Sequence, residues 1–273
     1  MRILTDRVAV VTGAASGIGR ATSVALARAG CHLAISDIDV AALAATATEI
    51  RALDRRVSTH KVDVSNRERM RQWADEVAKE HGAVHILVNN AGVTVTSSFA
   101  DHTLDDWEWM VGVNFWGVVY GCKFFLPHLR AAGEGHIVNL SSVFGLMGVP
   151  LQSSYCATKF AVRGLSETLW VELRDENIGV TSVHPGGIRT SIAASARGSN
   201  QQAKEQSTLF IGQARVLPED CARDIVRAIK SNRMRQLVAR EAYLIETMKR
   251  LSPELVQRIT HQGYRRWRKQ LGA

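Results

Sequence analysis

The chain has 273 residues, of which 46% are apolar and 22% are charged, a composition typical of a globular protein. The net charge of +8 comes from the carboxyl-terminal fifth, because residues 223–273 carry 13 Lys and Arg against 4 Asp and Glu, whereas residues 1–222 carry 21 against 22. A nearly neutral body argues against a nucleic-acid-binding protein. No apolar run approaches the roughly 18 residues of a membrane-spanning helix.

The cysteines and the amino terminus indicate a reduced compartment. The four cysteines are widely scattered, with neither metal-ligand spacing nor a disulfide pattern: Cys31, Cys122, Cys156 and Cys221. The first seven residues lead directly into a strand pattern and leave no room for a signal peptide. We therefore expect a cytoplasmic protein that binds no metal.

A strand, a glycine-rich turn and a helix follow one another near the amino terminus. The run VAVV at residues 8–11 is typical of a buried strand, and a helical segment extends to Ala29. Between them, glycines at Gly-x-x-x-Gly-x-Gly spacing would let backbone N–H groups approach a pyrophosphate at the helix N-terminus. An ordinary tight turn is the alternative interpretation. The candidate cofactor-binding residues of this turn are Thr12, Gly13, Ser16, Gly17, Ile18 and Gly19.

A second strand, predicted over residues 31–36, ends in Asp37, 18 residues after Gly19. A carboxylate at this place accepts hydrogen bonds from an adenosine ribose and repels the 2′-phosphate of NADP. No Arg or Lys directly follows Asp37, so the sequence favours NAD over NADP. Asp37 could instead cap the helix predicted over residues 41–53, but Asp39 is available for that role.

Strands and helices alternate along the rest of the chain. Strands are predicted over residues 57–62, 84–88, 136–140, 180–183 and 236–239, and helices over residues 66–80 and 104–118, from Tyr155 onward and from Pro218 onward. This alternation predicts an α/β fold with a single doubly wound parallel sheet, helices on both faces and one domain over residues 1–242. Ligands of such sheets bind beyond the carboxyl ends of the strands. Candidate cofactor-binding residues at these ends are Asp37, Asp63, Val64, Asn90, Ala91, Gly92, Pro185, Gly186, Ile188 and Thr190.

Tyr155 and Lys159 are four residues apart in a long apolar segment that is predicted to be helical. Positions i and i+4 share one face of a helix, so the ammonium would lie near the phenol. A neighbouring cation favours the phenolate, so the pair could form a general acid/base with a pKa shifted toward neutrality. A chance pair on a helix surface is the alternative, and only the accompanying motifs can distinguish the two.

Together, these motifs resemble those of the short-chain dehydrogenase/reductase family. The matching motifs are Thr12-Gly-x-x-x-Gly-Ile-Gly19, Asp63, Asn89-Asn-Ala-Gly92, Asn114, Ser142, Tyr155-x-x-x-Lys159 and Pro185-Gly186-x-Ile-x-Thr190. They fall in family order over about residues 5–240, with Ser142 placed 13 residues before Tyr155 as in this family. The segment from Gly145 to Ala157 looks like that of hydroxysteroid dehydrogenases. The resemblance implies a Rossmann-like fold and an NAD(P)-dependent oxidoreductase.

The resemblance also implies catalytic roles for Asn114, Ser142, Tyr155 and Lys159. Tyr155 would exchange a proton with the substrate oxygen, and Ser142 would hold that oxygen by a hydrogen bond. Lys159 would bind the nicotinamide ribose and lower the pKa of Tyr155, and both residues are therefore also expected at the cofactor. Asn114 would hold a water molecule that links Lys159 to solvent.

The loops expected to face the substrate are mostly apolar. Their candidate substrate-binding residues are Ser142, Val143, Phe144, Met147, Gln152, Tyr155, Gly187 and Ile192. We expect a hydrophobic secondary alcohol or ketone, steroid-like or long-chain, although these side chains could instead only pack the loops together. Residues 190–216 occupy the place of the family's mobile substrate lid.

Other functions fit parts of the sequence. A cofactor-sensing binding protein would keep the glycine-rich turn without catalysis, but here all four catalytic residues are present. An NADPH-dependent 3-oxoacyl thioester reductase is disfavoured by Asp37 and by Ser16, where a basic residue would suit a 2′-phosphate. Residues 104–129 and 154–173 carry more apolar side chains than one buried face requires, which predicts a homo-oligomer, either a dimer or a tetramer.

The resemblance ends near residue 240, and residues 243–273 form a basic extension. Apolar side chains recur there at mostly three- and four-residue steps between Lys and Arg, which predicts amphipathic helices with a break at Ser252-Pro253. We expect the apolar face to pack on the body or on a neighbouring subunit near the mouth of the active site. Contact with an anionic membrane and disorder are the alternatives.

Overall fold

The computed structural model describes residues 1–198, 205, 208–209 and 211–270. Seven strands form one sheet in the order β3-β2-β1-β4-β5-β6-β7, and every neighbouring pair is parallel. The strands are β1 (Val8–Thr12), β2 (His32–Asp37), β3 (Val57–Lys61), β4 (Ile86–Asn89), β5 (Gly135–Leu140), β6 (Ile178–Pro185) and β7 (Arg235–Val238). The predicted doubly wound parallel sheet is confirmed.

Helices cover both faces of the sheet, so its central strands are buried along their whole length. The helices are α1 (Gly17–Arg28), α2 (Val40–Arg51), α3 (Arg67–His81), α4 (Leu104–Val111), α5 (Gly117–Ala131), α6 (Ser153–Glu172), α7 (Pro218–Lys230), α8 (Arg240–Leu251) and α9 (Pro253–Gln270). One apolar core joins β1 and β2 to Leu26, Leu43 and Ile225. The other core lies on the opposite face and contains Trp73 and Phe125.

Helices α4 and α5 are continuous through a single π-helical turn, Gly112–Trp116, and together form a 28-residue helix. In the described part of the chain, this helix is the one that is long and apolar enough to cross a membrane by length and composition alone. The sequence analysis missed this helix, because its uncharged run, residues 109–122, is shorter than a membrane span and only the whole helix reaches that length. The helix packs against α3, α6 and β4.

The carboxyl-terminal extension consists of α8 and α9, which pack against each other and break at Ser252 as the sequence predicts. Helix α8 begins at Arg240, three residues before the predicted start of the extension. Some predicted features lie outside the described residues, namely positions 199–204, 206–207 and 210 of the lid and positions 271–273 of the extension. The division of the chain at residue 242 stays a prediction.

The strand order reverses between β1 and β4, since β2 and β3 lie on one side of β1 and β4 to β7 on the other. The loops after β1 and β4 therefore diverge and leave a crevice beyond the carboxyl ends of the strands. The residues singled out from the sequence follow these strand ends.

Candidate active site

The glycine-rich turn after β1 is folded tightly onto itself. Gly13 and Gly17 have φ angles of +65° and +52°, in the left-handed region that favours glycine. A Cβ atom on Gly19 would lie 2.0 Å from the Gly13 carbonyl oxygen, so no larger residue fits there. Among the described residues, no side chain caps α1 at Ser16, whereas Asp39, Asn66 and Thr103 cap α2, α3 and α4. The first N–H groups of α1 are thus left for an anion, which fits the pyrophosphate of a dinucleotide.

The end of β4 is tied to this turn by hydrogen bonds. The Asn90 side chain donates to the carbonyl oxygens of Thr12 and Gly13 at 2.9 and 3.0 Å. In return, the Thr12 hydroxyl accepts from the backbone N–H groups of Asn90 and Ala91, each at 3.0 Å. The two strands that border the crevice are therefore held at a fixed separation.

Asp37 stands at the end of β2 beside the glycine-rich turn. Its two carboxylate oxygens accept from the N–H groups of Ala15 at 3.0 Å and Asp39 at 3.1 Å, and its position suits an adenosine ribose. Asp37 is paired in register with Lys61 of β3, a cation that the sequence reasoning missed because it is distant along the chain. Asp63 is exposed, and its carboxylate accepts from the N–H and hydroxyl of Ser65 at 2.9 and 2.7 Å.

Asn114 lies in the π-helical turn and is completely buried. Its side chain accepts from Val93 N–H at 2.8 Å and donates to the Val93 carbonyl at 2.9 Å. A Cβ atom added to Gly92 would lie 3.3 Å from Asn114 Oδ1 and 3.6 Å from Lys159 Nζ, so the three residues converge. A π-helical turn inside an α-helix is frequent at functional sites. The sequence pattern did not indicate this one.

Ser142, Tyr155 and Lys159 meet at the end of β5 as the sequence predicts. The Tyr155 hydroxyl lies close enough to the Ser142 side chain to affect its own pKa, and Lys159 Nζ lies 5.5 Å from the centroid of the Tyr155 ring. Lys159 is buried on α6 and donates to the Leu140 carbonyl at 2.8 Å. The arrangement places a phenol and a hydroxyl together, with a cation behind them.

The expected downward shift of the Tyr155 pKa is wrong for the chain by itself. Burial raises the pKa of Tyr155 to about 12, and its hydrogen bond with Ser142 offsets only part of that shift. Burial also lowers the pKa of Lys159 to about 8, so the ammonium is itself weakened as a source of positive charge. Desolvation therefore outweighs the cation at i+4, and the phenol is protonated at neutral pH.

His184 is a residue near the site that the sequence analysis did not single out. It is fully buried on β6, with Nδ1 3.0 Å from the Ser142 carbonyl oxygen and Nε2 2.9 Å from the Ser182 hydroxyl. Because a carbonyl can only accept, Nδ1 carries the proton of the neutral ring. Burial lowers the pKa of His184 to about 4, although the bond to the Ser142 carbonyl opposes this shift.

The loops on the substrate side are fastened to one another. Gln152 accepts from the Thr94 hydroxyl at 2.9 Å and donates to the Thr96 hydroxyl at 3.1 Å, so its predicted role as a substrate contact competes with two existing partners. Leu151, next to it, has a strained φ of +65°. Val143 is buried, and the ring of Phe144 meets Tyr155 edge-on at 6.0 Å.

The loop after β6 reaches both halves of the crevice. A Cβ atom on Gly17 would lie 3.3 Å from Thr190 Cγ2, so Thr190 stands at the glycine-rich turn. Ile188 is buried in the apolar core, and Gly187 N–H donates to Glu241 of α8 at 3.1 Å. This last contact joins the loop after β6 to the carboxyl-terminal extension.

The remaining predicted residues are placed as follows. Val64 is buried against Gly117 of the long helix, and the side chains of Met147 and Ile192 are half-buried. The first part of the predicted lid, residues 191–198, is hydrogen bonded to the loop after β4, with Arg197 N–H donating to the Thr94 carbonyl at 3.1 Å. The site residues are thus brought to one edge of the sheet, and their roles stay predictions.

Three comparisons with known proteins bear on this site. A family model described as short chain dehydrogenase matches residues 7–201. The SadH chain of Mycobacterium tuberculosis is 40% identical over 267 residues, which cover 96% of this chain and 97% of that one. The cyclohexanol dehydrogenase of an Acinetobacter species is 35% identical over 190 residues, 69% of this chain and 76% of that enzyme. The crystal structure of a short-chain dehydrogenase/reductase from Burkholderia phymatum in complex with NAD matches with a TM-score of 0.88 and 32% identity, covering 93% of this chain and 96% of that one.

Proposed function

The chain belongs to the short-chain dehydrogenase/reductase family, and from that premise we propose that it transfers a hydride between NAD and an apolar secondary alcohol or ketone. Family membership makes the protein an oxidoreductase of alcohols or ketones. The apolar substrate and the preference for NAD are the proposal. The apolar lining beside Ser142 and Tyr155 carries it.

The two segments expected to face the substrate are free of charge. Residues 143–147 (VFGLM) and 192–196 (IAASA) contain no Asp, Glu, Lys or Arg. The nearby cation Arg197 is already engaged, since its guanidinium lies 3.7 Å from the centroid of the Trp109 ring and 3.7 Å from an Asp106 oxygen. A substrate carboxylate or phosphate would meet no free cation in these segments. The similar cyclohexanol dehydrogenase is named for an apolar secondary alcohol.

The side chains have distinct tasks in ketone reduction. Tyr155, protonated because burial raises its pKa to about 12, gives its proton to the substrate oxygen, and Ser142 holds that oxygen by a hydrogen bond. Lys159 fixes the end of β5 through the Leu140 carbonyl and lies behind the phenol. When bound, the nicotinamide cofactor supplies or accepts the hydride. The glycine-rich turn, Asp37 and the Asn90-Ala91-Gly92 segment would hold it.

The substrate class is tested by a panel of secondary alcohols that differ only in polarity. We expect kcat/KM to be highest for cyclohexanol and other apolar alcohols, and to fall by about tenfold or more for analogues that carry a carboxylate, because a buried charge without a partner is costly. A higher kcat/KM for the carboxylate analogues would overturn the substrate class while leaving the family reaction intact.

The cofactor is tested by the ratio of kcat/KM with NAD to that with NADP. Replacing Asp37 by Ala should lower this ratio by about tenfold or more, because the carboxylate no longer repels the 2′-phosphate. Lys61→Ala is the matched control at the register partner of Asp37, and it should raise the ratio if it changes it at all. A wild-type preference for NADP would show that the assignment of Asp37 is wrong.

We also infer a homo-oligomer and a reduced compartment. Trp116, Tyr120 and Phe124 form a stacked row on the long helix, with ring centroids 5.6 and 6.1 Å apart, and Trp116 is 45% exposed. Phe160 and Val171 of α6 are also exposed, which supports pairing through these helices. All four cysteines are free and buried, which supports a reduced compartment. Light scattering that showed only monomers at micromolar concentration would contradict the assembly.

A further inference from the structure

The helical hairpin formed by α8 and α9, residues 240–270, is attached to the body through α8. Helix α9 packs against α8, and one row of its side chains is shielded from solvent: Val256 is buried, and Thr260, Tyr264 and Trp267 are half-buried. Helix α8 packs against β7 and against the Val143–Gly145 turn. The hairpin therefore lies beside the substrate loops, with a second side turned outward.

The exposed surface of the hairpin includes five large apolar side chains. The exposed fractions are 51% for Tyr243, 61% for Leu244, 82% for Leu251, 50% for Leu255 and 49% for Ile259. Leu255 and Ile259 are one turn apart on α9 and share a face, next to the shielded row. These five side chains make up a third of the 15 large exposed apolar residues of the described chain, although the hairpin is about an eighth of its length.

The same hairpin carries a positive charge. Residues 240–270 contain eight Lys and Arg against three Glu. Each Glu is already engaged: Glu241 by Gly187 N–H, Glu246 by Arg235 and Arg250, and Glu254 by Arg258. In the last turns of α9, by contrast, the cations have no ion pair among the described residues, and they are Arg265, Arg266, Arg268 and Lys269. Attraction for an anionic surface is therefore not cancelled inside the hairpin.

We propose that the outward side of the α8–α9 hairpin docks on an anionic lipid bilayer. Apolar side chains along a helix with basic residues beside them are the features of a helix that lies in a membrane interface. Each basic residue near an anionic bilayer adds to its attraction. A second copy of the chain is a poorer occupant, because residues 1–222 are nearly neutral and offer no net negative charge to this surface.

Docking in this way would bring an apolar cavity of the body to the lipid boundary. The cavity, about 430 Å³, lies between α9 and the loop before α6, with Val149, Pro150 and Cys156 on the body side and Thr260 and Tyr264 on the hairpin side. The proposal concerns the hairpin alone and does not depend on the substrate class. An apolar substrate would, however, be concentrated in the same bilayer.

The experiment is co-sedimentation of the full-length protein with vesicles. We expect binding to vesicles of phosphatidylglycerol mixed with phosphatidylcholine, and about tenfold weaker binding to phosphatidylcholine alone. Binding to the anionic vesicles should fall steeply as the ionic strength is raised toward about 1 M, where the Debye length is about 3 Å. Equal binding to both kinds of vesicle, or no binding to either, would overturn the proposal.

Two variants separate the apolar contribution from the charge. Leu255→Glu/Ile259→Glu should weaken binding by about tenfold or more, because it places carboxylates on the docking side. The matched control, Ile3→Glu/Met234→Glu, adds the same charge at two exposed apolar sites outside the hairpin and should bind like the wild type. Equal weakening in both variants would mean that overall charge, and not this surface, governs binding.

A second variant keeps the test valid if the first variant does not fold. Replacing the exposed cations Arg265, Arg266, Arg268 and Lys269 by Gln removes charge without changing the shielded row of α9, and it should weaken binding to anionic vesicles to a similar extent. Light scattering on every variant tests the other occupant. A loss of oligomeric mass on Leu255→Glu/Ile259→Glu, with no vesicle binding by the wild type, would assign this surface to a second copy.

Discussion

The active-site edge of the sheet and the α8–α9 hairpin are attached to the molecule in different ways. At the edge, buried or half-buried polar side chains bind backbone atoms of other elements: Asn90 binds the glycine-rich turn, Asn114 binds Val93, and Lys159 binds Leu140. On the hairpin, α9 packs against α8, and most charged side chains are exposed. Hydrogen bonds to the backbone hold reacting groups in place, whereas a hairpin joined to the body through one of its helices is attached less rigidly.

Among substitutions in the two regions, the replacement of Tyr155 should have the largest effect on turnover. Replacing it by Phe keeps the ring against Phe144 but removes the hydroxyl that lies beside Ser142. We expect kcat to fall by about a thousandfold, because the general acid is lost, while the Kd for NAD changes little. Steady-state kinetics and calorimetric NAD titration measure the two quantities.

The hairpin supplies the control for that prediction. Tyr243→Phe makes the same chemical change at a half-exposed position of α8 and should leave kcat unchanged. Turnover near the wild-type level in Tyr155→Phe would remove the proposed mechanism altogether.

Lowering the pH should destabilise the sheet before it affects the hairpin. Burial holds the pKa of His184 at about 4 and that of His136 at about 3, against an ordinary value of 6.5. Below its ordinary pKa, each group takes up a proton in the unfolded chain but not in the folded one, so the free energy of unfolding falls as the pH drops from 6.5 toward 4. For His184 the loss approaches about 3 kcal/mol at the lower end of that range.

Urea denaturation at several pH values measures this loss of stability. His136→Gln, which keeps a polar group beside the Thr181 hydroxyl but does not titrate, should make the acid side of the profile shallower. A variant of His136 with an unchanged slope would show that the group is not held neutral in the folded protein.

Much of the fold and of the site could be predicted from local sequence. The strands were recognisable because short β-branched runs such as residues 8–11 alternate with helical periodicity, and parallel topology then brings their ends together. Asn90, Ser142 and Tyr155 therefore fall at one edge without any knowledge of side-chain contacts. The family relationship is confirmed by the matching family model.

The features that could not be predicted depend on how deeply a side chain is buried and on contacts between residues that are far apart in the sequence. The sequence places Lys159 four residues after Tyr155, but the direction of the Tyr155 pKa shift is decided by burial, which local spacing does not reveal. The hydrogen bond from Gly187 N–H to Glu241 could not be predicted either, because the two residues are 54 residues apart along the chain. The π-helical turn at Asn114 is one extra residue in a continuous apolar helix and leaves no change in periodicity that could be recognised.

A smaller effect is expected at His184, whose proposed role is to position Ser142 through its carbonyl group. His184→Ala removes the donor to the Ser142 carbonyl, so kcat should fall by about tenfold as the hydroxyl loses its alignment with Tyr155. His184→Asn can restore a donor and should recover part of kcat. The KM for NAD should change little in either variant, since the change lies on the substrate side.

The conservative variant distinguishes positioning from general damage. If the role of His184 is purely structural, its replacement should lower the melting temperature and kcat together. In that case Asn, which is much smaller than His, would not restore kcat while the melting temperature stays low. If kcat follows stability in both variants and the KM values for both substrates rise together, His184 has no specific effect on Ser142.

The smallest effect is expected in the hairpin, where it tests how weakly that region is attached. Val256→Ala removes two methyl groups from the buried stripe of α9 and should lower the free energy of opening of the hairpin by about 1 kcal/mol, measured by hydrogen exchange of its amides. Leu255→Ala, at the preceding and half-exposed residue, should change this free energy of opening by less than about 0.5 kcal/mol. Exchange of the β4 and β5 amides should be unaffected in both, because the hairpin can open without disturbing the sheet. Equal effects of the two variants, or faster exchange throughout the sheet in Val256→Ala, would show that the hairpin is part of the same cooperative unit as the active-site edge.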